Sequence, residues 1–105
     1  TYYIMGKHMI FWTLHPELTE EEKARAKKGI KEGLEALMGE IQGLTSIKVI
    51  IDGRLETSNA DVMLDSTFTD FEALKAYAVH PKHVAVADGK VRPFTVQRSC
   101  LDYEL

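Results

Sequence analysis

The sequence holds a single cysteine, Cys100, so no disulfide can form within one chain. That usage fits a reducing compartment, the cytoplasm first. No run of Lys and Arg occurs, and the formal net charge is −3 over 105 residues. Neither nucleic acid nor an anionic membrane is therefore the expected partner. No apolar run is long enough to span a bilayer, and the opening TYYIMGKH has no signal-peptide pattern. Met5 is a candidate native start, with residues 1–4 then foreign to the natural chain. What is present is an ordinary globular composition, 45% hydrophobic and 28% charged. At this length one domain over residues 1–105 is expected, burying roughly 65% of its unfolded surface.

The periodicity changes along the chain. Met5 to Leu14 (MGKHMIFWTL) reads as a strand. Alternation puts His8, Ile10, Trp12 and Leu14 on one face, and Met9, Phe11 and Thr13 on the other. Both sets are largely apolar, so both faces are expected to be covered. Thr19 and Glu22 form a capping box that opens a helix. Its buried stripe is Ala26, Ile30, Leu34, Leu37, Met38 and Ile41, and its end is predicted between Gly39 and Gly43. Leu44 to Ile51 is a second strand, and the polar stretch after Asp52-Gly53 predicts a long loop. Ala60 to Thr69 is a third strand, with Val62, Leu64, Ser66 and Phe68 facing one way and Asp61, Met63, Asp65 and Thr67 the other.

Thr69 and Glu72 spell a second capping box, and Phe71, Leu74 and Ala78 give that helix its apolar side. Pro81 then ends it near Val79 or His80 and suits the first turn of another short helix. Gly89 interrupts this helix and Pro93 closes it. Phe94 to Tyr103 is the last strand, polar enough for a sheet edge or a subunit contact. Cys100 has no neighbour in sequence that would activate it and is read as a packing residue. The order strand, helix, strand, strand, helix, strand predicts an α+β chain of the ferredoxin-like βαββαβ type. It pairs a four-stranded antiparallel sheet with helices on one face. Met9, Phe11 and Met63 on the other face call for a covering partner, most simply a second copy of the chain.

The stretch Tyr77 to Val84 (YAVHPKHV) is the first place to look for chemistry. It carries two of the four histidines. A break between helices can aim His83 and Tyr77 into a cavity. Two histidines at a helix break are more often helix caps or surface residues, and a histidine near a strand end, as His8 is, is more often solvated or bonded to backbone.

Taken together, KHMIFWTL, EGLEALMGEIQGL, ADVMLDSTFTDFEALKAYAVHPKHV and the closing R-x-x-x-DYE resemble the stress-responsive α/β-barrel (Dabb) family over Lys7 to Glu104. The resemblance implies a ferredoxin-like subunit and a homodimer whose two sheets pack into a barrel. Members range from stress proteins to polyketide cyclases of the olivetolic acid cyclase kind. The cyclase tyrosine and histidine fall on Tyr77 and His83, and a further pocket histidine falls on His8. Another falls on Val62, so that part of the cyclase pocket is not reproduced.

The residues support a compatible chemistry. If His8, Trp12, Leu64, Phe68 and Val84 wall a cavity with His83 and Tyr77, it combines apolar surface with a few polar groups. His83 would act as acid and base next to a carbonyl, with Tyr77 holding the oxygen. The expected function is a cofactor-free cyclase, isomerase or lyase on a small carbonyl compound. The alternative is a non-catalytic module that binds a small apolar ligand. A metal on His8, His80 and His83 is not expected, because no carboxylate or cysteine lies near them in sequence to complete a set.

Overall fold

The computed structural model describes residues 4–105; of the residues read as preceding a native start, the first three lie outside it. Four strands form one antiparallel sheet: β1 (Gly6–Leu14), β2 (Leu44–Ile50), β3 (Val62–Phe68) and β4 (Thr95–Glu104). Their order is β2-β3-β1-β4, so the two longest-range pairings place β1 at the centre. The helices are α1 (Glu20–Glu35), α2 (Phe71–Val79) and α3 (Pro81–Val86). A π-helical turn (Ala87–Val91) and a 3-10 turn (Arg92–Phe94) lead into β4. This is the expected ferredoxin-like arrangement. No helix among the described residues is long and apolar enough to cross a membrane.

Strand alternation decides which side chains meet the helices. His8, Ile10, Trp12 and Leu14 of β1 are buried with Val62, Leu64, Ser66 and Phe68 of β3. Ala26, Ile30 and Leu34 of α1 and Leu74 and Tyr77 of α2 complete the core above them. The opposite face carries Phe11, 40% exposed, with half-buried Met9 and Met63 beside it. The edge of β2 is secured by α1, since the Val49 N–H donates to the Glu35 carboxylate at 2.9 Å.

The first capping box is present. The Thr19 hydroxyl accepts from the Glu22 N–H, and the Glu22 carboxylate accepts from the Thr19 N–H. The helix it opens stops earlier than predicted. Beyond Glu35 the N–H groups of Leu37 and Met38 bond to carbonyls three residues back, on Leu34 and Glu35. The tighter winding carries Leu37 and Ile41 into the core but turns Met38 out to 47% exposure, so Met38 does not belong to the stripe. The chain then passes Gly43, whose φ of +88° suits glycine, and where an added Cβ would lie 2.5 Å from that of Ala73.

The second capping box is absent. Asp70, not Thr69, caps α2: its carboxylate accepts from the Ala73 N–H at 2.8 Å. The Thr69 N–H is held by the Gly43 carbonyl at 2.9 Å, which keeps this residue with the strand. Asp70→Ala should therefore lower stability by about 1 kcal/mol, and Thr69→Ala by clearly less, in denaturant melts. Equal losses would place the cap elsewhere.

Candidate functional site

Pro81 ends α2 as expected, because His80 takes up extended backbone (φ −66°, ψ 131°) before it. The His80 ring accepts the Lys82 N–H at 3.1 Å and so caps α3. That use points His80 away from chemistry. One turn into α3, the His83 ring lies against Tyr77, with centroids 4.1 Å apart and planes tilted 32°. Tyr77 is also edge-on to Phe68 at 5.0 Å and to His8 at 6.0 Å. Local sequence explains the pairing of Tyr77 with His83: the break at Pro81 folds α3 back towards the last turn of α2.

These rings border a cavity of about 600 Å³. His8, Trp12, Leu64, Tyr77 and His83 line it together with Ile10, Leu34 and Leu74. Two expected wall residues do not. Phe68 packs edge-on against His8 and Tyr77, and half-buried Val84 is not among the lining residues. The π-helical turn contributes Ala87 and Val91, both buried. The mouth is on the β4 side, where Val96, Gln97 and Arg98 are exposed.

Each polar group has a distinct setting. The His83 Nδ1–H donates to the Ala78 carbonyl at 3.3 Å, which leaves Nε2 as the basic nitrogen. Burial holds the His83 pKa below the ordinary histidine value; the Ala78 bond opposes this, while the charges of Arg92, His8 and Arg98 add to it. His83 is thus neutral at neutral pH and able to take a proton. Tyr77 is 1% exposed, and its hydroxyl oxygen has no hydrogen-bond partner among the described residues. Burial raises its pKa strongly, against the lowering effect of Arg98, so Tyr77 stays a protonated donor.

His8 stands across the cavity, 8% exposed. Strand pairing sets it directly opposite Asp102, and the His8 Nδ1–H donates to Asp102 Oδ1 at 2.5 Å. This bond fixes the orientation of the His8 ring. Cys100 lies beside the pair, 3.5 Å from Asp102 Oδ1 and 3.9 Å from His8 Nδ1. It is exposed, not packed as predicted; burial and then Asp102 raise its thiol pKa. His8, Cys100 and Asp102 are the one group among the described residues with the donor types of a metal site. Their His–Asp spacing is that of a hydrogen bond. Two ligands at the usual zinc distances of about 2.0–2.2 Å sit farther apart on a tetrahedral ion. His80 does not converge with His8 and His83.

Arg92 was not singled out from sequence, Cys100 was read only as a packing residue, and Arg98 and Asp102 entered only as members of the closing R-x-x-x-DYE motif. A signal for three of them existed. Arg98, Cys100 and Asp102 alternate along β4 and so share one face, the face opposite Trp12, Ile10 and His8.

A family model described as the stress responsive A/B barrel domain (Dabb) matches residues 7–105. Among solved structures, a dimeric ferredoxin-like protein of unknown function from Bacteroides fragilis is 30% identical. It has a TM-score of 0.89, covering 98% of this chain and 100% of that one. A Dabb family protein from Mesorhizobium loti is 25% identical (TM-score 0.69, 95% of each chain). A hydroxynitrile lyase from Passiflora edulis is 13% identical (TM-score 0.73, 99% of this chain and 95% of that one), a likeness of fold alone. No curated protein matches the sequence.

Proposed function

This chain belongs to the stress-responsive A/B barrel (Dabb) family, and from that premise we propose that it is a homodimer whose cavity carries out cofactor-free proton transfer on a small carbonyl compound. The observation that carries the reading is the buried Tyr77 hydroxyl, without a partner among the described residues and stacked beside the neutral His83. A buried donor left unpaired costs roughly 1–3 kcal/mol, a cost that a substrate carbonyl oxygen would remove. Apolar walls at Ile10, Trp12 and Leu64 suit the carbon skeleton.

In the proposed step His83 Nε2 takes a proton from the carbon next to the carbonyl. The electron pair of that C–H bond moves into an enolate, whose oxygen accepts the Tyr77 O–H. The enolate carbon then takes a proton on its opposite face, or it attacks a second carbonyl in the same molecule and the alkoxide so formed takes the proton held on His83. The first outcome is isomerisation at that carbon and the second is cyclisation by aldol addition; the reverse of an addition between two molecules is a lyase step. A flexible substrate folded against the walls reaches the second outcome with less entropy to lose. A reducing compartment such as the cytoplasm would keep the exposed Cys100 thiol free.

The test is proton exchange. Acetophenone in D₂O with purified protein should exchange its methyl protons, followed by proton NMR, faster than with an equal concentration of imidazole. No excess exchange would sink the catalytic reading. Acetophenone bound without exchange would leave a small-ligand-binding module in its place.

A further inference from the structure

We propose that the cavity takes a substrate bearing a carboxylate and that Arg98 is the residue that binds it. The proposal deepens the carbonyl reading above and rests on the same cavity. The cavity wall holds two guanidinium groups, Arg92 and Arg98, and two imidazoles, with no Asp or Glu among its lining residues. In a chain of net charge −3 such a wall is not the background composition. Arg92 is already paired, to Asp88 one turn back in the chain. Arg25 and Arg54 also have carboxylate partners, Glu21 and Asp61. Arg98 alone of the four arginines has none among the described residues. The nearby acid, Asp102, is engaged by His8.

Arg98 is nonetheless directed at the site. It lies opposite Trp12 on the helix-side face of β4, and it lines the mouth. Its charge acts on Tyr77, on His83 and on Cys100 alike. A guanidinium presents two parallel N–H donors to the two oxygens of a carboxylate, and one unpaired cation balances one negative charge. This favours a carboxylate over a doubly charged phosphate. With Tyr77 and His83 at the inner end and Arg98 at the mouth, the fitting class is a keto acid: carbonyl inside, carboxylate outside.

The experiment compares two ligands of one shape, 4-acetylbenzoate and 4-acetylbenzamide, by calorimetry at pH 7.5 and low salt. The acid should bind the full chain roughly tenfold tighter than the amide, the scale of one charge-assisted pair. Arg98→Gln should abolish that preference, bringing the acid to the affinity of the amide, while Arg98→Lys should retain part of it. Amide binding that persists in the variant reports an intact cavity. Equal binding of acid and amide to the wild-type protein overturns the carboxylate assignment and leaves the carbonyl reading standing. A preference that survives Arg98→Gln overturns the role of Arg98. Failure of both ligands to bind overturns this proposal, and the acetophenone exchange assay then decides the carbonyl reading separately.

Discussion

His83→Ala is expected to slow α-proton exchange by ~10²- to 10⁴-fold, the usual contribution of a positioned acid–base group. The substitution removes a half-buried ring and leaves the strands of the core in place, so the protein should remain folded. Tyr77→Phe should lower exchange by ~10²- to 10³-fold, as loss of one oxyanion donor does. Its effect on stability should have the opposite sense. The hydroxyl it deletes has no partner among the described residues, so the unliganded protein should be as stable as the wild type or slightly more so. A stability loss matching the activity loss would mark Tyr77 as structural only. The pH profile provides a further check. Burial lowers the His83 pKa, so the base form persists below the ordinary value of 6.5. The acid limb of kcat/KM should therefore fall below pH 6.5. His80→Ala removes a cap contact to Lys82 and should leave exchange near the wild-type rate. If His8→Ala is the more damaging change, the base is His8, held by Asp102, and His83 has the lesser part.

Phe11→Asp is expected to convert a dimer to a monomer at micromolar concentration, read by sedimentation. The sheet face away from the helices carries Phe11 and Leu101, 40% and 61% exposed, with Tyr103, Met9 and Met63 around them. Register places Met9 opposite Leu101 and Phe11 opposite Met63, which makes one continuous apolar patch across β3, β1 and β4. Apolar surface hidden there contributes about 25 cal/mol per Å². In a twofold interface the substitution appears twice, and each buried carboxylate without a partner costs several kcal/mol. A wild-type protein that sediments as a monomer would remove the homodimer proposal. A variant that stays dimeric would move the interface off this face.

Much of the fold was legible because its signals are local. Trp12 and Phe11 differ in fate through alternation alone, and the helix-side set of β1 and β3 follows from the same period of two. Capping at Thr19 was readable because both partners lie within four residues. Capping of α2 was not. Thr69-x-x-Glu72 fits the rule, but the Thr69 N–H is taken by Gly43, which is distant in sequence. Met38 failed similarly: helical spacing predicts a buried residue, yet the tighter turns after Glu35 rotate it outward.

The candidate site divides along the same line. Tyr77 and His83 are six positions apart, and Pro81 between them states locally that the chain must bend, so their meeting was readable from sequence. The rest of the cavity depends on pairing of β1 with β4. His8 and Asp102 are 94 positions apart and meet only through that register. A shift of one residue would send Arg98, Cys100 and Asp102 to the opposite face of the sheet. Sequence alone therefore determined the order of elements, the two sheet faces and the break that brings His83 to Tyr77, because each depends on near neighbours. Tertiary structure alone decided which acid holds His8 and which arginine at the cavity mouth lacks a carboxylate partner among the described residues. Those outcomes depend on cross-strand register, which no local period encodes.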